Sequence, residues 1–321
     1  MPFSGPSSYL TVIDEFIGHW TDVDAELGLG GPLTLQPDGY ALTDLQTHRT
    51  NLAGFITALE AFINAQEGHR TDRNLQKVPM RERLRQLGGL VRSQLRDSVY
   101  SGQVPQLVEL DANPGKWIIA MDDASHMWTT INATPPAGFT PPLLLTGGYT
   151  LAMFDADVAA LKATFTALVQ ADQDVTRAID ERDALFLVIR DRLVQYRGVV
   201  EAMFAPDHPL VTSLPRVYPL PGHTPDAVVL SGEWNVGTMM ADLSWTASSD
   251  PDLESYQVRR SGADPYDTAS ELVVDTLPPG TLTLSTNEGL AADGATMGFK
   301  VYVVLTTSNE KGSNTVTITN A

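Results

Sequence analysis

The first two-thirds of this chain is one unit written twice, and that duplication limits what it can fold into more than any other feature. Residues 20–42 read WTDVDAELGLGGPLTLQPDGYAL and residues 128–151 read WTTINATPPAGFTPPLLLTGGYTL. Further on, RERLRQL at 81–87 lines up with RDRLVQY at 190–196, 109 residues later, and Val104-Pro105 answers Leu214-Pro215. Correspondence at three separated places, kept nearly in phase, marks a duplication, and the period is far longer than that of a solenoid. Two copies of a helical unit supply two related faces, which points to architecture and assembly before chemistry.

Each copy opens with a short helical pattern. Leu10, Ile13, Phe16, Ile17, Trp20 and Val23 fall at helical spacing across 8–27, with Ser7 or Ser8 as cap and Gly28 to Pro32 as the stop. A short extended segment, Leu33 to Leu35, reaches a turn at Pro37-Asp38-Gly39. The second copy repeats the plan with a helix over about 115–132, a proline-rich link and a turn at Gly147-Gly148. Trp20 and Trp128 are expected as core anchors, with the neighbouring His19 and His126 packing beside them.

A long helical stripe comes after each turn. From Leu151 through Phe154, Val158, Leu161 and Phe165 to Val200 and Met203, apolar residues recur in steps of three and four, with Asp172 and Arg182 as polar exceptions on the seam. The first copy shows the stripe at Leu42, Leu45, Leu52, Ile56, Leu59 and Ile63, then at Met80, Leu84, Leu87 and Val91, with a polar middle. Either one long helix or a hairpin satisfies the pattern. Preserved phase and the lack of Gly or Pro in DQDVTRAIDERDA favour the long helix, while Gly68 and Pro79 favour a bend or break in the first copy.

After Pro215 the texture changes to a Pro-rich linker and then to alternating apolar and polar positions rich in Val, Thr and Tyr. LSWTAS around Trp245, the adjoining DPDLESYQVRR, and FKVYVV with NEKGSNTVTI are the segments that carry the pattern. In these residues the region resembles a fibronectin type III domain. The resemblance implies a seven-stranded immunoglobulin-like sandwich with an adhesive or spacer role, and no RGD tripeptide accompanies it. The duplicated part is similar to helical regions that uncharacterised bacterial proteins pair with such a module, a likeness that implies no function.

The expected fold class is therefore multidomain α and β: a duplicated, antiparallel, coiled-coil-like helical scaffold followed by a β-sandwich. The expected boundaries are 1–110 for the first repeat, 111–215 for the second, 216–226 for the linker and 227–321 for the sandwich.

Composition narrows the function. A net charge of −18 argues against nucleic acid and anionic membrane as partners, because phosphate contacts need clustered Lys and Arg. No run approaches the roughly 18 apolar residues of a membrane span, so membrane insertion is not expected. Zero cysteines remove disulfides, thiolate metal sites and thiol catalysis. The start, MPFSGPSSYLTVIDEF, lacks the pattern of a Sec signal, so the expected location is cytoplasmic or reached by a non-Sec route. No P-loop, GxGxxG after a strand, GxSxG elbow or HExxH pair is present, and no catalytic, cofactor or metal residue is assigned. Asp250, Asp252 and Glu254 superficially resemble calcium ligands, but the glycine and closing glutamate of an EF-hand loop are missing.

The unusual polar feature is a basic stripe, Arg70, Arg73, Lys77, Arg81, Arg83, Arg85, Arg92 and Arg96, set against a strongly acidic C-terminal region. One reading is a solvated helix face with i,i+4 partners. The sharper one is an interface with a neighbouring copy, Arg73, Lys77, Arg81 and Arg85 meeting Asp250, Asp252, Glu254 and Asp264. The expected function is thus a non-enzymatic structural protein whose partner is itself, in a ring, tube or filament. The alternative is a monomeric or dimeric adhesion module that takes a protein or polysaccharide at the sandwich loops, with Trp234 and Tyr266 as the aromatics to do it.

Overall fold

The computed structural model describes residues 8–218, 222–262 and 265–320. A long helical N-terminal region is followed by antiparallel β-sheets. Helix α1 spans Tyr9–Leu27 and buries Val12, Ile13, Phe16, Trp20 and Val23 before Gly28 ends it at φ +51°. A two-residue ladder, β1 (Thr34–Leu35) with β2 (Tyr40–Ala41), turns through Gly39 at φ +72° and feeds α2, Leu42–Gln94. In the second copy α3, Pro114–Ala133, is capped by Asn113, whose side chain accepts from the Lys116 amide at 3.0 Å. The counterpart of the ladder is one bridge, Leu145 with Tyr149, around Gly147 and Gly148, both at positive φ. Helix α4 then runs Leu151–Met203, and a short α5, Pro209–Thr212, comes next.

Each long segment is a single helix; α2 passes through Gly68 and Pro79 without a break. The chain divides into two compact units, one of residues 1–67 with 173–321 and one of residues 68–172, so both boundaries fall inside α2 and α4.

Neither helical core belongs to one copy. In residues 68–172, Met80, Leu84, Leu87 and Val91 from the end of α2 pack with Trp117, Met121 and Trp128 of α3 and with Phe154, Leu161 and Phe165 from the start of α4. In the other unit, Ile189, Leu193, Tyr196 and Val200 from the end of α4 pack with Phe16 and Trp20 of α1 and with Leu45, Leu52 and Ile56 from the start of α2. Every one of these α2 and α4 positions maps onto its counterpart by 109 residues. The contacts Arg70 with Asp172, Gln76 with Thr164 and Arg83 with Tyr149 run in opposite directions along the two segments, so the pair is antiparallel. The boundaries expected at 110 and 111 therefore divide the sequence repeat but not the packing.

The exchange is reciprocal in detail. The Arg83 guanidinium lies 4.1 Å from the Tyr149 ring centroid and donates to Gln86 Oε1, while Arg192 lies 5.2 Å from that of Tyr40 and donates to Gln195 Oε1. Eight residues on from each tyrosine sits its hydroxyl's partner, His48 for Tyr40 and Asp157 for Tyr149.

The β-region has two antiparallel sheets. One has the order β3 (Leu230–Asn235), β4 (Met240–Trp245), β7 (Thr283–Thr286). The other has the order β10 (Val316–Thr319), β8 (Thr296–Leu305), β5 (Leu253–Ser261), β6 (Leu272–Leu277), with β9 (Glu310–Gly312) also on β8. Their facing sides share one core, in which Leu230, Leu243 and Trp245 meet Tyr256, Val258, Phe299 and Val301. Trp245 packs edge-on to Tyr256 at 5.9 Å, a geometry that suits the ring quadrupoles.

Candidate functional site

The β-region is seated on the helical part of its own unit. Leu272 of β6 packs into a small apolar cluster with Leu59 and Ile63 of α2 and Val175 and Ala178 of α4. Arg182 of α4, buried, donates to the Ala269 carbonyl at 3.1 Å and pairs with Asp183 at 2.8 Å. Arg260 of β5 donates to Asn64 Oδ1 at 3.2 Å. Gly262 sits so close to α2 that a Cβ there would fall 1.4 Å from Glu67 Oε1.

Along this seam lies a cavity of about 570 Å³. Leu10, Ile56 and Leu59 line it from the helices and Val273 and Val304 from the sheet, with Arg259, Glu271 and Glu310 at the polar end. Arg259 is buried, donates to Glu271 at 2.6 Å and to Glu310 at 2.6 Å, and stacks 3.8 Å from the Tyr302 ring centroid. Glu271 also accepts from Tyr302 at 2.9 Å and from Tyr266 at 3.1 Å. Burial pushes the Glu310 carboxyl up, against the pull of Arg259. Burial opposes the charge on Arg259 too, and Glu310 and Glu271 outweigh it, so its pKa rises. With its Nε on Gln257 Oε1 at 2.5 Å, the Arg259 guanidinium ties β5 to β9 and to the residue that precedes β6. Glu60 and Glu254 stand exposed in the lining, so the opening repels anions.

The predicted interface residues fall in different settings. Lys77 is 6% exposed and is corrected: its ammonium donates to the carbonyls of Leu110 at 2.9 Å and Ala112 at 3.4 Å, 5.4 Å from the Trp117 ring centroid, and offers no surface contact. Arg81 serves the same connector, through Val108 O at 2.9 Å and Glu109 at 3.3 Å. Arg85 is exposed and paired with Glu82, whose carboxyl Arg85 and Gln86 hold down to about 2. Arg73 is half-buried and donates to Asn74 Oδ1, and burial lowers its pKa. Asp264 lies outside the described residues.

Asp250 and Asp252 come together with His223, their ligand atoms all within 4.8 Å of one another, while Glu254 turns to the seam cavity instead. His223 Nε2 is 2.5 Å from Asp250 Oδ2, and Asp250 Oδ1 accepts from the Asp252 amide at 3.0 Å. These three side chains are the described group able to hold a divalent ion, and an imidazole suits a transition metal better than calcium.

His19 is buried as expected. Leu210 O, 2.8 Å from Nε2, can only accept, so Nε2 carries the proton and Nδ1 accepts from the Tyr196 hydroxyl at 2.7 Å. His126 is exposed and takes no part in the core. Trp234 is half-buried with its indole N–H in the interior, and Tyr266 is half-buried on Glu271, so neither is the exposed reading surface expected of the sandwich loops.

The repeat reveals what single residues do not. Thr11 and Glu60 line the seam cavity under the β-region; their counterparts in the other copy are Ile119, 64% exposed, and Val169, 56% exposed. Arg182, which grips the β-region, corresponds to Arg73. The scaffold face that borders the seam cavity is thus polar at two exposed positions where its equivalent in the other copy is apolar and equally open.

No family model matches this chain, and no curated protein matches it. Among solved structures it is similar to pectate lyase PelI from Erwinia chrysanthemi in complex with tetragalacturonic acid, at 17% identity and a TM-score of 0.25, over 29% of this chain and 28% of that one. It is similar to an Fn3-like protein from Clostridium thermocellum at 20% identity and a TM-score of 0.25, over 30% of this chain and 93% of that one. A third is the spore cortex lytic enzyme SleM from Clostridium perfringens, at 17% identity and a TM-score of 0.24, over 30% of this chain and 28% of that one. The matched part of this chain thus spans little more than a quarter of the lyase.

Proposed function

We propose that this chain is a non-enzymatic structural protein that assembles with further copies of itself, its duplicated scaffold carrying an immunoglobulin-like sandwich of the fibronectin type III kind. The sandwich reading is supported by two facing antiparallel sheets around Trp245 and by β9 and β10 lying in succession along β8, which makes them one interrupted edge strand and the total seven. The observation that carries the assembly reading is the pair of equivalent faces. Around the seam cavity the sequence has the exposed polar residues Thr11 and Glu60, and at the equivalent positions of the other copy it has the exposed apolar residues Ile119 and Val169. Positions in contact with water favour polar side chains, as Thr11 and Glu60 do, so the exposed Ile119 and Val169 support an interaction surface there.

The test is the mass of the purified chain by light scattering over a concentration series at low and high salt, with negative-stain images of the same samples. Large uniform particles or fibres are expected. A 34.7 kDa species at every concentration and salt would remove assembly as the function.

A further inference from the structure

We propose that the bare face around Ile119 and Val169 receives the tip of the β3–β4 hairpin, Val236 and Met239, from a second copy of this chain. This rests on the self-assembly reading and names the contact.

The tip is the second surface whose polarity runs the wrong way for solvent. Hairpin turns are the place for Gly, Asn, Asp and Ser, yet this one presents Val236 at 67% exposure and Met239 at 50%. Met239 is held at φ +56°, a left-handed conformation that non-glycine residues seldom adopt, so the turn gives up backbone freedom to display an apolar side chain. Among the described residues, Arg260, Gly262, Ala269 and Leu272, from β5, β6 and the connection between them, seat the β-region on its own helices. The hairpin belongs to the other sheet and is left uncommitted by that docking.

Charge selects which surface of a neighbour the tip meets. Residues 224–321 hold 13 acids against 4 bases, whereas residues 68–172 hold 10 of each, so the whole excess of −18 lies outside 68–172. An acidic β-region approaching another copy is repelled by most of it and not by that segment. At close range Glu233 on β3 flanks the tip, and Arg73 and Lys116 occupy positions equivalent to Arg182 and Ser8, which line the seam cavity. The apolar side chains supply the affinity and the charges the orientation. Because face and tip are different surfaces, the contact is heterologous, and each copy joined offers a free tip and a free face for the next.

Two double variants test this, Ile119→Glu/Val169→Glu on the face and Val236→Glu/Met239→Glu at the tip. All four positions are exposed, so the fold survives, which circular dichroism and thermal melting verify. Each variant alone is expected to sediment as a 34.7 kDa monomer where the wild-type chain is larger. A 1:1 mixture of the two is expected to give a species of twice that mass and no larger, because one intact tip then meets one intact face. If either variant assembles like wild type, or if both are monomeric and the mixture stays so, the proposed contact is overturned while the self-assembly reading stands. A wild-type chain that never exceeds the monomer overturns both.

Discussion

His19 is a neutral, buried imidazole with both nitrogens engaged, and burial lowers its pKa below 6.5 despite the Leu210 carbonyl and Asp22, which favour the cation. The unfolded chain therefore binds this proton more readily than the folded one. Stability from this residue is complete above about pH 6.5 and drains away as pH falls toward the lowered folded value. Thermal melts of wild type and His19→Gln between pH 7 and pH 5 should show the wild type losing more of its melting temperature; parallel curves would mean that His19 is not the sensor. Lys77 makes the opposite use of burial, keeping its charge on two backbone carbonyls. Lys77→Ala strands those carbonyls and opens a gap beside Trp117 and Phe165, a loss of about 1–3 kcal/mol in denaturant unfolding. A loss within error would show that water replaces the ammonium without penalty.

Pro79 occupies the interior of α2, where proline lacks the amide hydrogen and costs about 3 kcal/mol relative to alanine. The equivalent residue of α4 is Val188, exposed on an unbroken helix. Pro79→Val should raise the denaturation midpoint, by an amount on the order of 1–2 kcal/mol; a destabilised variant would show that α2 is shaped around the ring. At this scale much is legible in the sequence. The start and stop of α1 and α3, the two turns and the apolar stripes are all readable from spacing and glycine placement. The pairing is not, because a stripe repeating every three and four residues says that something covers it without saying what. Phe154 and Phe165 share a core with Leu84 and Leu87 of the other copy as well as with Trp128 of their own, and no local signal distinguishes the two sets. Lys77 has the sequence signature of a surface cation for a related reason: its acceptors are main-chain carbonyls, which leave no mark in a sequence. Arg182, by contrast, stands out as a cation on an apolar seam, and that exception is where the β-region is gripped. Ile119 carries no signal until aligned with Thr11.

The junction between helices and sheet depends on a glycine. Gly262→Val puts a branched side chain where Glu67 already sits, so the β-region should loosen from its seat while both parts stay folded. Hydrogen exchange should quicken around Arg182 and Leu272 but not in the core of Trp117 and Trp128, and unchanged rates at Leu272 would mean that Glu67 simply swings aside. The reciprocal borrowing of helix segments has a further meaning. A polypeptide holding a single copy would carry half of each core and would need an identical twin to finish either, with Arg on one meeting Tyr on the other in both directions. With both copies in one chain that exchange is a folding event instead of an encounter between molecules, and the two halves need not be alike. The start of the first long helix and the end of the second together seat the β-region, while their counterparts leave Ile119 and Val169 in solvent.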